Sequence, residues 1–327
     1  MNFKVTQYVP PHHDVIDEAF EREFEGVRFK KVSSAAELER ELLDSEVLIA
    51  NNPFYTPEIS AAVERSRKQL KWIQFTTVGI DTAARSGLPN DIPITNVRGI
   101  RTGILAGHAM ALMLAQMRGL YRFSENRLKR EWARSEICKY VATTEDKVIV
   151  IVGLGEIGRD IARKAKSFDM RVVGISRAAS PDEYIDEVYP RTALHDVLPR
   201  ADVLMLSLPL EPDTHHLIGA HELSLMKSTS IVVNIARGPI IDEAALAKSL
   251  LNDEIAGAAM DVTEIEPLPH DSPLWHLKNV VISPHVGGQG DEAQKLRLRR
   301  LIGDNLSRFM NATPLHNVVS QKVDGWK

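Results

Sequence analysis

KVIVIVGLGEIGRDIARKA, residues 147–165, runs from five consecutive β-branched residues through three glycines into a helical pattern. Gly153, Gly155 and Gly158 have the G-x-G-x-x-G spacing, and the strand–turn–helix setting is what gives that spacing its meaning. The first glycine permits a tight turn, the second leaves room for a pyrophosphate against the backbone, and the third lets helix and strand pack closely. The anion would then rest at the helix N-terminus. A P-loop would require Lys and Ser or Thr after Gly158, but Arg159 and Asp160 follow, so a nucleoside triphosphate site is disfavoured.

The next apolar run, residues 172–175, ends at Ser176 and Arg177, eighteen and nineteen positions beyond Gly158. An acid there would bind the ribose 2′-hydroxyl of NAD. A hydroxyl followed by a guanidinium fork suits a 2′-phosphate instead, so NADP is expected ahead of NAD.

Outward from this unit, candidate strands recur at residues 203–208, 231–236, 257–262 and 280–283, nearly continuous apolar runs of the kind found where helices cover both faces of a parallel sheet. Upstream, β-rich runs at 3–8, 27–32, 47–50, 72–75 and 92–95 alternate with helical stretches such as 35–43, which implies a second parallel sheet. Residues 102–118 are apolar on nearly every helical face and read as a helix buried between domains or subunits. Residues 122–134 turn strongly charged, and a last amphipathic helix is expected after His285, in EAQKLRLRRLIGDNLSRFM.

A chain of 327 residues suits two domains. Lys plus Arg is 40 against 44 for Asp plus Glu, a net charge of −4, so no basic excess marks a nucleic-acid partner. Cys138 is the only cysteine, which excludes an intramolecular disulfide and favours a reducing compartment. The N-terminus MNFKVTQYVPPHHD lacks the apolar core of a signal peptide, and the longest apolar run, residues 104–117, is too short to cross a bilayer. A cytoplasmic protein with no membrane partner is expected. No metal is expected either: His12/His13 and His215/His216 lack ligands at suitable spacing, and His221-Glu222 is followed by Leu225 where a zincin needs its second histidine.

Three further strings join the glycine motif: NIARGPIIDEAAL (234–246), AAMDVTEIEPLP (258–269) and ISPHVGG (282–288). Together they resemble the D-isomer-specific 2-hydroxyacid dehydrogenase family, of the glyoxylate/hydroxypyruvate reductase kind. The likeness is close from about residue 147 to 288 and looser in TTVGID (76–81) and AGHAMALMLA (106–115). It implies two doubly wound α/β domains, a Rossmann dinucleotide-binding domain (99–286) inserted into a flavodoxin-like substrate domain (1–98 and 287–327). It also implies a substrate cleft between them with hinges near 96–100 and 285–288, and a homodimer.

Carried over by position, the resemblance makes Arg237 the grip on the substrate carboxylate, His285 the acid/base and Glu266 its partner, with the amides of Val78 and Gly79 as a second hold on the carboxylate. The implied cofactor contacts are Gly153, Gly155, Glu156, Ile157, Gly158, Ser176, Arg177, Pro209, Ala236 and Asp261. The family pattern has Ala-Glu-His where this chain has Ala106-Gly107-His108, and His108 reads as a satisfied core histidine.

These roles also make chemical sense. Hydride addition to a 2-oxoacid builds negative charge on oxygen, which calls for a proton donor and a fixed positive charge. Singly, Arg237 suits a surface turn, Glu266 a loop cap and His285 a structural role; following consecutive strand ends, they gather where open α/β sheets bind ligands. The expected reaction is reduction of a small 2-oxoacid such as glyoxylate or hydroxypyruvate. The alternatives are a D-3-phosphoglycerate dehydrogenase, though no added regulatory domain is apparent, and a dinucleotide-sensing corepressor that keeps the same residues.

Overall fold

The computed structural model describes residues 3–9, 16–177 and 180–319. The chain forms two compact units, Met1–Arg101 with Gly290–Lys327, and Thr102–Gln289.

In the first unit, strands β1 (Phe3–Tyr8), β2 (Val27–Val32), β3 (Val47–Ala50), β4 (Trp72–Phe75) and β5 (Ile94–Thr95) alternate with helices α1 (Glu18–Arg22), α2 (Ala35–Glu41), α3 (Pro57–Ser66) and α4 (Asp81–Ser86). The strands pair in parallel in the order β2-β1-β3-β4-β5. Successive residues of a strand face opposite sides, and each side has its own core. Val5, Val47, Ile49 and Trp72 pack with one set of helices, while Leu48, Ala50, Ile73 and Phe75 pack with Leu38, Ile59 and Val63. This double burial is why the strands read as unbroken apolar runs. Helix α3 starts cleanly because Thr56 accepts a bond from the Ile59 amide and Pro57 brings a φ already suited to a first turn.

The second unit opens with α5 (Thr102–Met117), α6 (Leu120–Lys129) and α7 (Arg134–Ile137). It continues through β6 (Val148–Val152), α8 (Glu156–Lys166), β7 (Arg171–Ile175), β8 (Glu187–Tyr189), α9 (Leu194–Val197), β9 (Val203–Leu206), α10 (Ala220–Leu225), β10 (Ile231–Asn234), α11 (Glu243–Leu251), β11 (Gly257–Met260) and β12 (Val280–Ile282). All seven strands are parallel, in the order β12-β11-β10-β9-β6-β7-β8. Strand order reverses between β6 and β9, the switch point at which such sheets bind nucleotides. Helix α12 (Glu292–Met310) returns to the first unit, where Leu298, Ile302 and Leu306 pack with Val5 and Trp72.

The apolar helix expected between domains or subunits packs by one side within its own unit. Helix α5 lies inside the second unit against α8, β10, β11 and β12, burying Ala106, Ala109, Met110, Leu112, Met113 and Met117. These neighbours take one side of the helix, while Gly103 and Ala111 are exposed and Ile104 and Leu114 half-buried on the other. Its partner α8 buries Gly158, Ile161, Ala162 and Ala165 at spacings of three and four, and turns Arg163 and Lys166 outward.

The strands expected at 203–208, 231–236 and 257–262 each end two residues early. The residues that leave the sheet there, among them Ser207, Ala236 and Asp261, belong to the site described below. Strand β8, three residues at the sheet edge with a glutamate and a tyrosine, carries no apolar run and went unforeseen.

Candidate active site

The glycine turn lies at the C-terminal end of β6, beside the switch point. Gly153 has φ +98, and a Cβ there would stand 2.8 Å from the Ser207 backbone. A Cβ on Gly158 would lie 2.0 Å from the Gly153 carbonyl oxygen, so only a bare backbone lets α8 seat this closely. At Gly155 a Cβ would meet nothing within 4 Å. Gly155 is also the N-cap of α8 and offers no side-chain oxygen to its first amides, the donors that an anion would use. One tight glycine, one seating glycine and one facing open space fit a dinucleotide pyrophosphate. Glu156 and Ile157 form the first turn beyond the loop.

Ser176 and Arg177 follow β7. The Ser176 amide donates to the Tyr189 carbonyl at 3.0 Å, and the mostly exposed Arg177 guanidinium donates to Glu211 at 3.1 Å. Pro209 closes the turn after β9, where its carbonyl accepts from the Thr214 hydroxyl at 2.9 Å.

Past β10, the Asn234 side chain ties down the next turn. Its Oδ1 accepts from the Ala236 amide at 3.0 Å and its Nδ2 donates to the Arg237 carbonyl at 3.0 Å. Arg237 is half-buried and donates to the Ala236 carbonyl at 2.7 Å. Gly238 brings this turn against the one after β11: a Cβ there would fall 1.9 Å from the Thr263 carbonyl oxygen. Any larger residue at 238 would separate the loop of Arg237 from the loop of Glu266.

Glu266 is the fixed partner of His285. Its Oε1 accepts from the Thr263 amide at 3.2 Å, and its Oε2 lies 2.7 Å from His285 Nδ1. This bond, opposed by desolvation and aided by the charges of Glu266 and Asp261, raises the His285 pKa; Arg237 is near enough for its charge to oppose the rise. With Nδ1 donating to the carboxylate, Nε2 is the nitrogen available to exchange a proton.

Asp261 is buried and takes several donors. Its Oδ1 accepts from the Val286 amide at 3.0 Å, the Gly287 amide at 3.2 Å, the Ser283 hydroxyl and His108 Nε2 at 3.2 Å; Oδ2 accepts from the Gly287 amide at 3.0 Å. Gly287, expected to serve as a hinge, is therefore pinned: a Cβ on it would lie 2.5 Å from Asp261 Oδ2. His108 and Ser283 were not singled out as site residues. They join Asp261 from 153 and 22 residues away, contacts that no local motif records. At Gly107, where the family pattern has Glu, a Cβ would have open space.

In the first unit, Val78 and Gly79 follow β4 with their carbonyls engaged, by the Asn96 side chain at 2.7 Å and by the Thr77 hydroxyl at 2.9 Å. Their amides donate to no acceptor among the described residues. Asn52, in the loop after β3, is buried, and its Oδ1 accepts from the Ala83 amide at 2.9 Å.

Among the described residues, no group of three or more His, Cys, Asp or Glu is placed to hold a metal ion, and no helix is long and apolar enough to cross a membrane. His12 and His13 lie outside the described residues.

Residues 110–287, over half of the chain, match the sequence model of the NAD binding domain of D-isomer specific 2-hydroxyacid dehydrogenases. The chain belongs to that family. Among curated relatives of this dehydrogenase, a glyoxylate reductase of Thermococcus gammatolerans is 35% identical over 256 residues, which cover 77% of this chain and 75% of the relative. A D-isomer specific 2-hydroxyacid dehydrogenase family protein from Aeromonas salmonicida superposes with a TM-score of 0.83 at 27% identity, over 98% of this chain and 99% of its own. A probable 2-hydroxyacid dehydrogenase from Rhizobium etli, solved with NADP, HEPES and L(+)-tartaric acid, gives 0.76 at 26% identity, over 97% and 98%. The dehydrogenase is thus an oxidoreductase with a Rossmann domain, and its glycine turn, Arg237, Glu266 and His285 lie at strand ends of one sheet.

Proposed function

We propose that this enzyme reduces a small 2-oxoacid, glyoxylate or hydroxypyruvate in chemical type, to the D-2-hydroxyacid with NADPH. The observation that carries the reading is the 2.7 Å contact between His285 and Glu266, with the charge of Arg237 felt at the same imidazole. Bound at the glycine turn, the nicotinamide cofactor supplies the hydride to the 2-oxo carbon.

The protein's own residues do the rest. Arg237 holds the substrate carboxylate, and its charge offsets the negative charge growing on the 2-oxo oxygen. The open amides of Val78 and Gly79 give the carboxylate a second hold. His285, kept protonated by Glu266, passes its Nε2 proton to that oxygen and completes the hydroxyl. Asp261 Oδ2, which carries one amide bond, keeps a lone pair for the cofactor carboxamide.

The preference for NADPH rests on Ser176 and Arg177. Arg177 already holds Glu211, but an exposed pair of this kind is worth only about 0.2–1 kcal/mol, less than a dianionic phosphate offers the same guanidinium. The Rhizobium etli relative, solved with NADP, supports the reading. The reducing cytoplasm suits a chain whose one cysteine, Cys138, is free and exposed. We also propose a homodimer, in which a second copy covers the apolar side chains exposed along residues 120–140, among them Leu128 at 75% and Trp132 at 94%.

A panel of 2-oxoacids assayed with NADPH and NADH tests the proposal. Turnover is expected, faster at limiting NADPH than at limiting NADH, and His285→Ala should abolish most of it while cofactor affinity stays nearly intact. Dinucleotide binding without turnover of any 2-oxoacid would replace the enzyme with a sensor.

A further inference from the structure

We propose that His108 is a positioning residue: acting through the Asp261 carboxylate and the Ser283 hydroxyl, it fixes the turn that carries His285. The proposal rests on the reading of His285 as the proton donor.

The turn 283–287 needs fixing. His285 has φ +52, a left-handed conformation uncommon for L residues even though His, Asn and Asp take it most readily, and the surroundings hold it there. The His285 amide donates to the Asp261 and Ser283 carbonyls at 2.9 and 3.0 Å, and the next two amides, of Val286 and Gly287, both donate to the Asp261 carboxylate. Asp261 thus holds three consecutive amides, the first through its main-chain carbonyl and the next two through its buried carboxylate. What holds the carboxylate itself is His108, from the middle of α5, 153 residues earlier.

Counting protons gives the direction of that contact. An ionised Asp261 only accepts, and the Ser283 hydroxyl spends its one proton on Asp261 Oδ1. His108 Nε2 lies 3.0 Å from Ser283 Oγ and 3.2 Å from Asp261 Oδ1, so both groups it faces are acceptors. The Nε2 nitrogen therefore carries the proton and donates to both. The ring also braces the turn sterically: a Cβ on Gly287 would lie 2.8 Å from His108 Cδ2. Helix α5 is packed against three strands and α8, so His108 transmits the position of a rigid element to the turn.

The charged groups that set the His285 titration are Glu266, Asp261 and Arg237, with His108 behind Asp261. Loosening the turn should slacken the His285–Glu266 contact and leave the glycine loop untouched.

The test compares the wild-type protein with His108→Ala, His108→Gln and Ser283→Ala. The imidazole of His285 is titrated by NMR in the free protein, its signal identified by loss in His285→Ala, and turnover is followed against pH. In His108→Ala the His285 pKa should move down toward the ordinary imidazole range. The alkaline limb of kcat should follow it, with kcat falling roughly 10- to 100-fold, the loss that a misplacement of about 1 Å brings. KM for the cofactor should rise less than kcat falls, since Asp261 also faces the carboxamide but the glycine loop that holds the pyrophosphate is untouched. Gln places an amide nitrogen where Nε2 stood, so His108→Gln should restore both readouts. Ser283→Ala should resemble His108→Ala, and it carries the test if that variant does not fold. An unmoved His285 titration in His108→Ala and Ser283→Ala would overturn the proposal, as would a His108→Gln no better than Ala. The NMR arm needs no turnover, so an inactive wild-type enzyme would sink the proposed reaction without deciding the role of His108.

Discussion

At the scale of single residues, the site is a set of side chains whose protonation is managed by a neighbour. Glu266 raises the His285 pKa, so the proton donor is charged below the raised value and lost above it. Reduction should therefore fail as pH rises through that value, while oxidation of the hydroxyacid, which needs the neutral ring, should gain. Glu266→Gln removes the cause, and the alkaline limb of kcat for reduction should move to lower pH; an unmoved limb would assign it to another group. The glycine turn gives a second contrast. Gly158→Ala meets backbone at 2.0 Å and should cost at least about 2 kcal/mol in urea unfolding. Gly155→Ala meets nothing within 4 Å, and should leave stability within about 0.5 kcal/mol while raising the cofactor Kd at least about tenfold, since its Cβ enters the space left for the pyrophosphate. Residues at strand ends were legible because motif and chemistry agree at Arg237, Glu266 and His285. His108 was not, because its partners Asp261 and Ser283 lie more than 150 positions away and a histidine in an apolar helix looks the same whether it braces a site or fills a core.

At the scale of elements, apolar runs revealed the inner strands and hid the outer one. Strands β3, β4, β6 and β9 are buried on both faces and announce themselves by composition. Strand β8 is held by charge instead: Glu187 bonds Arg200, Arg171 and the Tyr189 hydroxyl, which together bring its pKa down to about 2. A carboxylate depressed in the folded state stabilises above its unfolded value of 4.5, and the gain fades as pH falls toward about 2. Glu187→Gln should therefore lower stability by about 1 kcal/mol at neutral pH, given the partly exposed partners, and the deficit should shrink markedly at pH 3 in urea titrations. An equal deficit at both pH values would show that packing, not charge, holds the edge.

At the scale of the whole molecule, the doubly wound architecture came from the family likeness, and patterning gave no strand order, since parallel runs look alike wherever they sit in a sheet. Composition also drew attention to α5, which packs one side within its own unit and leaves Gly103 and Ala111 exposed on the other. Exposed apolar side chains follow it at Leu120, Phe123, Leu128 and Trp132, and Leu128→Asp with Trp132→Asp should turn a particle of twice the 36.5 kDa chain mass into one of single mass by light scattering. A wild-type protein already of single mass would end the dimer proposal. The return of α12 to the first sheet has one more consequence, for biosynthesis. As the polypeptide leaves the ribosome, Val5, Ile49 and Trp72 emerge some two hundred residues ahead of Leu298, Ile302 and Leu306. Until α12 has been made, that flank of the first sheet has chiefly Ile16 and Phe20 to cover it, and it stays open to any chaperone that binds apolar surface.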